Sequence, residues 1–163
     1  MMSRTEQYRA LYEYEKDCND KMLTMIESVP PANRTDARFQ QAVTLATHLA
    51  FCREYWLHLM DGGEKSQGEY FEKTADRLSL RPRFAAIEAR WTDYLANLDD
   101  AGLSREFEVA FGEYRMSWYV EGQILQLLGH APYHRGQIAL LVDQLGGETV
   151  DTDYLMYARP LKF

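Results

Sequence analysis

Only two cysteines, Cys18 and Cys52, occur in the 163 residues. They stand far apart inside helical patterns and form neither a CxxC clip nor a disulfide framework, so both are expected as reduced, half-buried thiols. No apolar run approaches the roughly 18 residues of a membrane span. The opening MMSRTEQYRALYEYEKD is too polar and charged for a signal peptide. Positive charge is also in deficit, with 18 Lys and Arg against 25 Asp and Glu and a formal net charge of −7. Binding to a phosphate backbone or an anionic membrane surface needs a clustered basic face, and isolated pairs such as Arg81 and Arg83 do not supply one. No repeat, low-complexity tract or linker divides the chain. The expectation is one cytoplasmic domain over residues 1–163, with no nucleic-acid and no membrane partner.

What is present is amphipathic helix. Tyr8, Leu11, Cys18, Met22, Met25 and Ile26 recur at three- and four-residue steps, which predicts a helix from about Thr5 to Val29, stopped by Pro30-Pro31. A second helix is expected from near Asp36 to Gly62-Gly63, with Ala42, Leu45, Leu49, Cys52, Trp56 and Leu59 as its seam. Residues 64–80 read as a polar loop with a turn of helix at 70–77. A third helix begins at Pro82 and carries Phe84, Ile87, Trp91, Tyr94 and Leu98. Phe107, Val109 and Phe111 alternate with Glu106, Glu108 and Ala110, and Gly112-Glu113 turns the chain into Tyr114–Met116, so a short hairpin is expected there. The last long helix is placed from about Trp118 to Leu145, with Ser117 as N-cap and Gly146-Gly147 closing it. Its seam is Ile124, Leu127, Ala131, His134, Ile138, Leu141 and Leu145. Four long amphipathic segments and one hairpin predict an all-α four-helix bundle.

Histidines stand on two of these seams. His130 and His134 are four apart, so their rings project from one helix face a turn apart. That spacing lets two imidazoles share one metal, each offering a nitrogen at about 2.0–2.1 Å if the ion is zinc. His48, near mid-length on the second helix, is the natural third ligand. Against this stands the ordinary account, in which a histidine on an apolar stripe is a satisfied core residue. That account needs three separate buried partners here, and metal binding becomes the better reading. His58 stands roughly 80° around the helix from His48 and reads as an exposed or capping residue.

Two metal architectures are excluded. A zincin needs H-E-x-x-H, but Ala131 follows His130. Ferritin-like di-iron sites need E-x-x-H, but Leu45, Tyr55, Leu127 and Ala131 precede the histidines by three. A single-metal, all-histidine site remains, and three ligands with an open position form the pattern of catalytic zinc.

The run His130-Ala-Pro-Tyr-His134-Arg135-Gly136-Gln137, followed by an apolar helix ending in Leu145-Gly146-Gly147, resembles the H-x-x-x-H-R-G-Q signature of the DinB/YfiT-like proteins. The resemblance covers nearly the whole chain, from the early histidine-bearing helix to Asp153-Tyr154. It implies the four-helix bundle of that family, one metal (nickel or zinc) on the residues matching His48, His130 and His134, and a homodimer. Assigned members include thiol-dependent transferases and a thiol-dependent isomerase, which implies a low-molecular-weight thiol as co-substrate. Pro132 departs from a regular helix inside the motif and is expected to kink it, shifting His130 relative to His134.

Around this triad, Tyr55, Tyr133, Arg135 and Gln137 are candidates for substrate contact or support of the ligands. The alternative is that Gly136 permits close helix packing and Arg135 pairs with a surface carboxylate. Cys52 is read as packing, and no carboxylate pair suited to acid–base work is found. The function expected is a metal-dependent enzyme acting on a small molecule, a thiol-dependent S-transferase or a hydrolase. The rival is a non-catalytic, stress-related metal- or ligand-binding homodimer.

Overall fold

A computed structural model describes residues 2–66 and 68–159. Helix α1 (Arg4–Ser28) begins at a reciprocal cap: the Ser3 hydroxyl accepts from the Glu6 backbone and the Glu6 carboxylate accepts from the Ser3 backbone. Helix α2 (Ala37–Asp61) starts on the Asp36 carboxylate and ends at Gly62, whose φ of 70° is the left-handed conformation that closes a helix without a Cβ clash. Helix α3 (Leu80–Asn97) holds Pro82 in its first turn, where backbone donors have no helical partner to lose. A short α4 (Asp100–Leu103) leads into the antiparallel strands β1 (Glu106–Phe111) and β2 (Tyr114–Tyr119). Helix α5 (Val120–Gln144) and the short α6 (Tyr154–Ala158) complete the elements. The described residues are thus mostly helical, with one two-stranded hairpin before the last long helix.

The chain diverges from its sequence pattern around the hairpin. Trp118 does not open a helix and Ser117 is not its cap. Both lie in β2, where Trp118 pairs with Phe107 and the Ser117 hydroxyl donates to Glu106 at 2.8 Å. Tyr114, Met116 and Trp118 alternate along one face of the strand, which runs on to Tyr119 opposite Glu106, and the cross-strand pairing of the Trp118 and Phe107 rings supports this extension. Gly112, with φ 58°, supplies the tight turn. The expected helical turn at 70–77 is absent; residues 68–76 run as bends, turns and irregular chain, and a 3-10 turn occupies Arg77–Ser79.

Helix α1 packs on α3 and α5, and α2 packs on the same two. Their apolar faces build two clusters. One gathers Met22, Ile26, Ala42, Leu49, Ala131 and Ile138; the other gathers Tyr12, Leu57, Trp91, Phe107, Ile124 and Leu127. Glu15 and Asn19 on α1, Cys52 and Arg53 on α2, and His130 on α5 fall between the two clusters along each helix, with His134 and Arg135 one turn further on. A polar layer therefore divides the core. Among the described residues no helix is long and apolar enough to cross a membrane.

Candidate metal centre

Three imidazoles meet beside that layer. His48 and His134 are buried, and His130 is half-buried. Their rings stand nearly perpendicular to one another, at 77°, 80° and 84°, with centroids 4.6–5.2 Å apart. His130 Nε2 lies 3.3 Å from His48 Nε2 and 3.0 Å from His134 Nε2. Two nitrogens at about 2.0–2.1 Å from one tetrahedral ion would be separated by about 3.3–3.4 Å, so the spacing suits ligands that share a metal.

Hydrogen bonds on the far side of each ring set the orientation. His48 Nδ1 is 2.8 Å from the Tyr70 carbonyl, and His134 Nδ1 is 2.7 Å from the Gln137 side-chain oxygen. Both oxygens only accept, so Nδ1 carries the proton in each ring and Nε2 turns a lone pair inward. His130 has one proton and cannot satisfy both neighbours as a neutral ring with two linear bonds. Its buried Nδ1 has no hydrogen-bond partner among the described residues. The Nε2 atoms that converge here could hold a cation between them, and imidazole donors suit zinc, nickel, copper or iron.

Burial holds His130 down at about 4, assisted by the positive charge that His134, His48 and Arg53 would add beside it. Burial likewise lowers His48, partly opposed by its bond to the Tyr70 carbonyl. Both rings are therefore neutral at neutral pH and offer lone pairs.

Pro132 does not separate the two α5 histidines. It sits inside an unbroken helix, and the rings one turn apart keep their contact. The loop before α3 walls the site. The Phe71 ring stacks on His48 at 4.2 Å and 14°, and Tyr70 meets the same ring edge-on at 4.6 Å. The chain reaches this position because Thr44 and Gln40 donate to the carbonyls of Glu72 and Ala75.

Of the other sequence candidates, Gln137 orients His134 as described, while Tyr133 is exposed with its ring 5.1 Å from that of His134. The ring contacts of Tyr55 are with Phe51 and Trp56. Arg135 points into the core rather than to a surface carboxylate. It grips Glu15, which also pairs with Arg53, and it reaches Asn19 Oδ1 at 3.3 Å. Gly136 has nothing within 4 Å of a Cβ position, so close helix packing does not explain it. His58 caps the end of α2 through the Gly63 carbonyl at 2.7 Å.

The structure adds Cys52. Its Sγ lies 3.6 Å from His48 Nε2 and 3.7 Å from Nδ1, and the donor atoms of His48, Cys52 and His130 all fall within 4.8 Å of one another. A residue treated as packing therefore belongs to the donor cluster. Its signal in the sequence was the four-residue step from His48, the same step that joins His130 to His134. Glu15 also went unread, although it stands on the α1 stripe between Tyr12 and Cys18. Tyr70 and Phe71 come from a loop without periodicity, and nothing in the sequence announces them.

Residues 1–161 match the family model described as the DinB family. No curated protein and no solved structure matches the chain.

Proposed function

The chain belongs to the DinB family, and from that premise we propose a metal-dependent enzyme, built as a single four-helix-bundle domain over residues 1–163 and acting on a small molecule. His48, His130 and His134 hold one divalent ion, nickel or zinc. The observation that carries this reading is the inward turn of the Nε2 atoms, with His130 Nε2 at 3.0 and 3.3 Å from the other two. When bound, such an ion lowers the pKa of a coordinated water or thiol and so supplies a nucleophile near neutral pH.

The protein's own groups do the rest. The Tyr70 carbonyl and the Gln137 amide fix the tautomers of His48 and His134, so that neither ring must reorganise. Phe71 and Tyr70 exclude water from one face of His48, which strengthens electrostatic interactions at the centre. The exposed Tyr133 lies next to His134, where a substrate would meet it. The family supports a thiol-dependent S-transferase, in which a low-molecular-weight thiol attacks an electrophile; a hydrolase uses the same centre with water. A cytoplasmic homodimer completes the reading. The second reading, a non-catalytic stress-related metal- or ligand-binding homodimer, is favoured by one observation: the Cys52 thiol stands close enough to occupy a fourth position.

Elemental analysis of untagged protein tests the proposal. About one zinc or nickel per chain is expected, and protein that takes up neither ion after incubation rules it out. A screen of electrophiles with and without small thiols then separates the transferase from the hydrolase and from the non-catalytic reading.

A further inference from the structure

Cys52 is buried and sits one helical turn after His48, on the same face of α2. Its Sγ lies 3.6 Å from His48 Nε2. A sulfur at about 2.3 Å and a nitrogen at about 2.0–2.1 Å from one tetrahedral ion would be separated by about 3.6 Å, the distance seen. The near-equal 3.7 Å to Nδ1 places the thiol beside the ring rather than along the Nε2 lone pair. Closing a bond to the ion therefore requires the side chain to swing toward Nε2. Cys18, the other cysteine, is directed to the Thr152 carbonyl instead.

From this geometry we infer that Cys52 is a displaceable fourth ligand, which caps the three-histidine ion as a thiolate and gives way to an incoming thiol. The inference rests on the three-histidine reading. On capping, the Cys52 S–H bond breaks, its proton passes to solvent, and a sulfur lone pair forms the bond to the ion; no electron is transferred. On displacement, the incoming thiol loses its proton to the departing Cys52 thiolate. A cysteine in this position keeps the ion from water in the absence of co-substrate and selects sulfur ligands over oxygen ones.

The test uses cobalt(II) added to the metal-free full-length chain. Visible d–d bands report that the ion is held, and a near-ultraviolet sulfur-to-cobalt charge-transfer band reports a thiolate ligand. The wild type and Cys18→Ser are expected to show both. Cys52→Ser keeps the d–d bands, loses the charge-transfer band and binds cobalt at least about tenfold more weakly. Adding 2-mercaptoethanol to cobalt-loaded Cys52→Ser restores the band. Cys52→Ala, checked for helicity by circular dichroism, repeats the measurement if the serine variant is unstable. Wild-type d–d bands without charge transfer overturn the inference while leaving the three-histidine reading intact. A charge-transfer band that persists in both Cys52 variants overturns it in the same way. Failure of 2-mercaptoethanol to restore the band overturns displacement. Absence of d–d bands in the wild type removes the three-histidine reading and this inference with it.

Discussion

Arg135 places both ends of its guanidinium on Glu15, with Nη1 2.9 Å from Oε1 and Nη2 3.0 Å from Oε2. The pair ties the residue after His134 to α1, and Glu15 also pairs with Arg53, the residue after Cys52. One carboxylate thus joins the two helices that carry the imidazoles. All three residues are buried, so removing Glu15 leaves two guanidinium groups without their counter-charge.

Glu15→Ala is therefore expected to destabilise the fold by about 3–5 kcal/mol, the range for breaking a buried pair. Chemical denaturation checks this. A loss below about 1 kcal/mol, the scale of an exposed pair, would show that water reaches the guanidinium groups. Glu15→Gln, which keeps hydrogen-bond acceptance and loses the charge, is expected to fall between Ala and the wild type.

The bond from His134 Nδ1 to Gln137 leads to a second expectation. Gln137→Ala leaves the ring free to rotate and should weaken metal affinity by about 10–100-fold, as losses of such supporting groups do. His48→Ala and His134→Ala should weaken it further, whereas His58→Ala, which removes only a cap at Gly63, should leave it unchanged. Competition with a chelator ranks the four, and equal losses for His58 and His134 would mean that the ligand set is misassigned.

Pro132 lies exposed within α5 and has no N–H to donate back along the helix. A proline in a helix interior costs about 3 kcal/mol. Pro132→Ala is expected to raise the melting temperature, corresponding to about 1–3 kcal/mol once partial relaxation around the ring is allowed for. A lower melting temperature would show that the surrounding structure is fitted to the ring.

These residues also show where the sequence is readable. Helices α1, α2 and α5 were visible because a three- and four-residue apolar rhythm is the direct consequence of burying one face of a helix, and Gly62 ends α2 where a left-handed residue was expected. His130 and His134 were visible because four residues make one turn. The boundary between β2 and α5 was misplaced because Trp118 and Tyr119 fit either an alternating or a helical pattern, and only pairing with Phe107 and Glu106 decides. Glu15 and Cys52 broke no rhythm. A glutamate on an apolar stripe has meaning only through Arg53 and Arg135, which arrive from other helices. The Tyr70 carbonyl comes from 22 residues beyond His48 through a loop, and no local rule reports its position.

The pH dependence of the metal-free protein follows from the same burial. Burial holds His130 at about 4 and lowers His48, against an ordinary value near 6.5. A folded-state pKa below the unfolded value means that, as pH falls, the unfolded chain binds protons first. Unfolding stability then rises with pH wherever the unfolded state holds more protons. The contribution of these two rings is fully present above about pH 6.5 and is lost as pH falls toward about 4. Carboxylates titrate in the lower part of that window, so the comparison must be made against a variant. Denaturation of the metal-free wild type should show a lower midpoint at about pH 5 than at about pH 7.5, and His130→Gln should show a smaller drop between the same two points. Bound metal competes with protons for the same lone pairs, so loading the wild type should shift its loss of stability to lower pH. An identical drop in the wild type and His130→Gln would show that this imidazole takes up its proton as readily in the folded protein as in the unfolded chain.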